Sequence, residues 1–284
     1  MSAEPSKLKA DGVRPVHGRV AACGDVVVID WLHPQPVRSH VDLERITHPL
    51  RLARGSHQPG SAKGCAMNVI SYINGDERMT DFPATSARPL AAFVQLCNDQ
   101  LAGPDGYLSP EDAILALDLG WLTVGTAEVD ETVIRPWVSK LLTSPPWGVV
   151  RYAEGAAADA ISEIAELHRT LAPGEMPDIA SWDAAAGVAR EISAAMPPCA
   201  ARYAVRAASQ STALADAEAW DTLDAVTGNA LRAHRLANLD NGAGRIVETT
   251  RHAIRSWRRL AGLSVVGNVP ASITKALQGN GAAA

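Results

Sequence analysis

Aromatic residues make up only 5% of this 284-residue chain, and its four cysteines, at positions 23, 65, 97 and 199, include no Cys-x-x-Cys pair. Such wide spacing signals neither a disulfide framework nor a zinc ribbon, so reduced thiols are expected. No stretch approaches the roughly 18 apolar residues of a membrane span, and residues 1–20 carry Lys7, Lys9, Arg14 and Arg19 without a continuous apolar run. The expectation is a soluble, cytoplasmic protein with no membrane partner. Positive charge is not in excess either: the net charge is −5, which excludes a surface given over as a whole to nucleic acid or anionic lipid and leaves room only for a local basic patch. Also missing are a Gly-rich phosphate loop, a Gly-x-Ser-x-Gly elbow, a His-Glu-x-x-His and any His-x-x-x-His pair.

What is present is an apolar fraction of 47%, enough for a sizeable core in one large domain or two smaller ones. Residues 1–15 are small, polar and interrupted by proline, as in a flexible arm. Val26 to Ile29 is a short β-branched run that predicts one buried strand, and residues 33–60, with four prolines and four histidines, read as loop. From position 62 the period turns helical. Ala66, Val69, Ile70 and Ile73 share a face, with Asn74-Gly75 as the stop. Leu90, Phe93, Val94, Cys97 and Leu101 mark a second helix that Ser86 can cap. Ser109-Pro110-Glu111-Asp112 opens a third, which Gly120 can close. Val133, Ile134, Trp137, Val138, Leu141 and Leu142 form a further stripe, and the break at Ser144-Pro145-Pro146-Trp147-Gly148 is the expected domain boundary.

Beyond that break the composition shifts to alanine, the best helix former. Helices are expected over 156–171, 181–196, 200–238 and 243–263, joined by short connections that favour antiparallel neighbours in a bundle. The fold class is therefore mainly α: an N-terminal domain over 16–147 with a small β element, an alanine-rich bundle over 148–263, and a tail over 264–284. Trp182 and Trp220 are expected as core anchors.

The densest group of special residues lies between Gly55 and Asp99, where a His, a Cys and several carboxylates surround glycine turns. Cys65 follows Gly64 at a predicted helix start, where free N–H groups favour a thiolate. With His57 as base and Asp81 as orienter it would form the Cys/His/Asp arrangement of a hydrolase or acyl-transfer enzyme. The alternative is that Cys65 is a small buried hydrophobe. Asp76, Glu77 and Asp81 are candidate binding or acid–base carboxylates, with turn formation as the plain alternative. The histidines at 33, 40, 48 and 57 match no zinc spacing, so no metal and no cofactor is expected. Arg245, Arg251, His252, Arg255, Arg258 and Arg259 crowd one predicted helix, and Arg251, Arg255, Arg258 and Arg259 are candidates for contact with phosphates or with an acidic protein surface. A solvated basic face is the simpler reading of that helix.

The run Cys65-Ala66-Met67-Asn68, then Asn74-Gly75-Asp76, then Thr80-Asp81-Phe82-Pro83, then Asn98-Asp99 resembles a family of uncharacterised proteins from actinobacteria and their phages. That family's pattern is Cys-x-Met-Glu, Ala-Gly-Glu, Ser-Asp-His-Pro-x-Cys, and a helix ending in Asn-Asp, often followed by an alanine-rich region. The resemblance implies a lineage and no mechanism. Here Asn68, Phe82 and Thr85 stand at the family's Glu, His and second Cys, so of four potential ligands only Cys65 remains. The expected role is a binding or structural protein whose 55–83 surface meets a protein partner or a second copy. A Cys/His enzyme and a nucleic-acid contact through the basic helix are the alternatives.

Overall fold

A computed structural model describes residues 51–55, 63–76, 78–129, 131–170, 178–215, 219–237 and 242–264. All of them belong to the unit spanning His40–Ala284. The expected arm over 1–15, the expected strand at Val26 to Ile29, the expected tail after Ser264, His57 and Glu77 lie outside the described residues.

The described chain is mainly helical, with one two-stranded parallel ladder. Strand β1 (Arg51–Leu52) pairs with β2 (Lys63–Gly64), Arg51 opposite Lys63 and Leu52 opposite Gly64. Both exposed cations lie over the Tyr107 ring, the Arg51 guanidinium at 4.2 Å and the Lys63 ammonium at 5.1 Å from its centroid, which covers the outer side of this very short sheet.

Nine helices follow among the described residues: α1 (Ala66–Asn74), α2 (Arg88–Leu101), α3 (Pro110–Leu122), α4 (Ile134–Thr143), α5 (Ala156–Thr170), α6 (Ile179–Ala195), α7 (Ala200–Ser211), α8 (Ala219–Ala237) and α9 (Gly242–Leu260). α1 stops at Gly75, whose φ of 78° is left-handed, a conformation glycine adopts without steric cost. Ser109 caps α3 by accepting from the Asp112 N–H, with Pro110 in the first turn.

Four local expectations turn out differently. Strand β1 lies within the 33–60 stretch read as loop. Ser86 does not cap α2, because its hydroxyl is hydrogen-bonded at 2.8 Å to that of Thr123 while Thr126 accepts from the Ala87 N–H at 2.9 Å. Gly120 does not close α3, which runs on to Leu122. It sits inside the helix where α1 crosses, and a Cβ there would come within 3.0 Å of Ile70. The single helix expected over 200–238 is two, α7 and α8, with a 3-10 turn over Thr212–Ala215 after α7. Ser211 and Thr212 turn their hydroxyls back onto the carbonyls of Ala208 and Ser209, at 2.7 and 2.8 Å. Such back-bonding weakens a helix locally, and it lets α8 fold against α7.

One hydrophobic core runs from Leu52 to Trp257. Trp137 of α4 lies near its middle, with ring centroids 6.1 Å from Phe93 of α2, 6.0 Å from Trp147 and 5.2 Å from Trp257 of α9. Its indole N–H donates to the Ala253 carbonyl at 3.0 Å, so the large ring is buried without stranding a donor. The break at 144–148 is thus a turn inside a shared core, and it is tight. A Cβ on Gly148 would fall 2.4 Å from the Ser144 nitrogen. Trp182 is buried as expected, and the side chain of Trp220 lies outside the described residues.

Candidate functional site

Cys65 occupies the N-cap of α1 and is 1% exposed. Its backbone N–H donates to Asn68 Oδ1 at 2.9 Å, the Asn68 Nδ2 donates to Asp81 Oδ1 at 2.8 Å, and the thiol donates to the same carboxylate oxygen at 3.4 Å. Burial pushes the thiol up to about 12, and the Asp81 charge and hydrogen bond push in the same direction. The N–H groups of Asn68 and Met67 oppose this shift and are outweighed, because desolvation of a thiolate costs more than a helix start returns. Cys65 is consequently a protonated thiol at neutral pH. Asp81, read in the sequence as the group that orients His57, here accepts from Cys65 and Asn68.

The neighbouring polar residues hold the segment together in the same manner. Asn98, fully buried on α2, accepts from the Ala66 N–H at 3.1 Å and donates to the Ala53 carbonyl at 2.9 Å, so one side chain ties α1, α2 and the end of β1. Asp99 Oδ1 accepts from the Gly55 N–H at 2.8 Å. Asp76 accepts from the Ser71 hydroxyl at 2.6 Å, and that hydroxyl accepts from the Thr80 N–H at 3.1 Å, which clamps the loop after α1. Asn74 donates to the Thr85 hydroxyl at 2.8 Å. Each of these groups is satisfied inside the fold, as buried polar groups must be.

The loop leaves Phe82 facing outward, at 36% one of the few exposed large apolar side chains among the described residues. The Arg88 guanidinium lies 4.8 Å over its ring and forms a 2.9 Å ion pair with Asp224 of α8. Sequence reasoning missed Arg88. The available signal was a cation at the start of α2, six positions after an aromatic in a loop. It also passed over Arg190, Arg202 and Arg206, which line a cleft between α6 and α7.

The basic helix is less free than its sequence suggests. Arg258 is buried, donating to the carbonyls of Leu122, Val124 and Ser264, and burial lowers its pKa. Arg245 pairs with Glu248 and donates to the Pro146 carbonyl at 3.0 Å. Arg251 is half-buried, and Arg255 and Arg259 face solvent. Among the described residues no group of three or more His, Cys, Asp or Glu is placed to hold a metal ion, and no helix is long and apolar enough to cross a membrane. Compared with known proteins, the chain matches no family model, no curated protein and no solved structure.

Proposed function

We propose that this chain is a non-catalytic binding protein that presents the loop around Phe82 to a protein partner. The observation carrying this reading is the exposed Phe82 ring, held by Arg88 above a segment whose polar side chains bond inward. An aromatic fixed in place before contact loses little conformational entropy on binding, which is the property of an interface anchor. The protonated, buried Cys65 supports binding over nucleophilic chemistry. Asn68, Phe82 and Thr85, standing where the resembling actinobacterial and phage family has potential ligands, favour recognition over a metal centre. Free cysteines at 65, 97 and 199 suit a reducing, cytoplasmic setting.

The test replaces Phe82 with a photo-crosslinking phenylalanine analogue, with the same analogue at exposed Val188 as control. One defined adduct at position 82, to another protein or to a second copy, and none at 188 is the expected result. No adduct at 82 above the control, together with rapid alkylation of Cys65 near neutral pH, would overturn the reading in favour of a thiol enzyme.

A further inference from the structure

Between α6 and α7 lies a cleft of about 370 Å3 lined by Arg190 and Ser193 of α6 and by Arg202, Arg206, Ser209 and Gln210 of α7. The break at Pro197-Pro198 ends α6 and folds α7 back onto it. Positions 190 and 193 then face positions 202, 206 and 209, each set one helical face.

The lining contains three guanidinium groups and no carboxylate. Ion pairs among the described residues involve Arg51, Arg88, Arg169 and Arg245, and none of the three cleft arginines. The Nε of Arg202 is buried and has no hydrogen-bond partner among the described residues. Arg206 and Arg232 both lie over the Tyr203 ring, at 6.0 and 5.7 Å from its centroid, which places a further positive charge near Arg206. Gln210 accepts through Oε1 from Asn229 Nδ2 at 2.5 Å, and this fixes its amide with the NH2 group left to donate. Ser209 is loosely held, its hydroxyl 3.5 Å from the Ala186 carbonyl. Arg202 and Arg206, four apart on one helix, repel each other. Two half-buried arginines and an exposed third, none of them in an ion pair among the described residues, form the arrangement that a bound anion relieves.

We propose that the α6–α7 cleft binds a small organic phosphate carrying at least two negative charges. Guanidinium forks match the paired oxygens of phosphate in spacing and plane, and the cleft offers at least three of them plus an amide donor. Its lining comes from two helices only, which suits a compact ligand better than a nucleic-acid backbone, whose contacts extend along a stripe. The inference is independent of the role given to Phe82.

Isothermal titration of the full chain with inorganic pyrophosphate at about 0.1 M ionic strength tests the proposal. One site per chain is expected, weakened at least about tenfold by Arg206→Gln and by Arg190→Glu. Arg190 is exposed, so the second variant keeps the fold if the first does not. Ala194→Glu, which sets a carboxylate at the same cleft without removing an arginine, is expected to weaken binding as well. Citrate, of comparable charge, is expected to bind at least about tenfold less tightly. Binding unchanged in Arg190→Glu would overturn the site, citrate as tight as pyrophosphate would overturn the phosphate class, and tighter binding of a single-stranded oligonucleotide would overturn the small ligand.

Discussion

The segment from Arg51 to Leu108 and the α6–α7 pair treat their polar residues in opposite ways. In the first, Cys65, Asn68, Ser71, Asp76, Asp81, Asn98 and Asp99 bond to one another or to nearby backbone. In the second, Arg190, Arg202 and Arg206 line a cleft without ion pairs among the described residues. Density of unusual residues in sequence therefore marked the part of the fold that needs tying. Ahead of α2, this segment offers only two-residue strands and a nine-residue helix, so side chains must satisfy much of the remaining backbone there. Helices α6 and α7 satisfy their backbone internally, which leaves their arginines to line the cleft.

The largest effect is expected in acid, from two buried histidines on the helices that flank the α6–α7 pair in the chain. Burial pushes His168 of α5 down to about 3 and His234 of α8 down to about 4, assisted by the charges of Arg135 and Arg151. Both native values lie below the unfolded value of about 6.5, so the unfolded chain binds more protons between about pH 6.5 and 4. Stability is complete above pH 6.5 and falls as pH drops through that window, by up to about 1.4 kcal/mol per pH unit for each histidine. His168 shows the cause directly. Its Nε2 is bonded at 2.8 Å to the Ser211 hydroxyl, which itself donates to Ala208, while its buried Nδ1 has no partner among the described residues. A proton placed there would create an unsatisfied buried donor. Urea midpoints at pH 7, 5.5 and 4.5 are expected to fall steadily, with His168→Phe flattening the slope by about half. An unchanged slope in that variant would remove His168 from the account.

Next in size is Trp137→Ala, expected to cost about 3–5 kcal/mol because Trp137 joins α2, α4 and α9 in the core that both regions share. A single cooperative unfolding transition should persist. Two separate transitions would show that the regions are independent domains after all.

Asn98→Ala is expected to cost about 1–3 kcal/mol, since it strands the buried Ala66 N–H. Arg202→Gln in the cleft is expected to change stability by less than about 0.5 kcal/mol or to raise it, since it relieves repulsion with Arg206 without breaking an ion pair. Denaturant unfolding of the two variants side by side measures the contrast between regions. Equal losses would erase it.

The smallest effect concerns the thiol. Asp81→Asn should make native-state alkylation of Cys65 faster by less than about tenfold, because desolvation outranks the carboxylate among the causes of its raised pKa. A larger acceleration would mean that the Asp81 charge, and not burial, holds the thiol inert.

Much of the fold was legible locally. The apolar face Ala66, Val69, Ile70 and the stripe through Leu90, Phe93, Val94 and Cys97 are buried as their spacing implies, and the cap at Ser109 and stop at Gly75 sit where their chemistry demands. The candidate site was legible as a place and less so as a chemistry. Asp81, expected as the orienter of His57, instead accepts from the Cys65 thiol, a contact that depends on how deeply Cys65 is buried at the start of α1. The division of α7 from α8 was missed because alanine continues across Ser211 and Thr212, and helix propensity alone carries no information about what each side packs against.

By itself, then, the sequence determined helix content, most helix ends and the apolar faces, since these follow from periodicity and from residues bonding to their own neighbours within a turn or two. Tertiary structure alone decided that Arg258 is a buried brace while Arg190, Arg202 and Arg206 share a cleft. The physical reason is distance along the chain. Arg258 meets Leu122 and Val124, more than a hundred residues away, and the use of a charge is settled by the partners that folding brings to it or withholds.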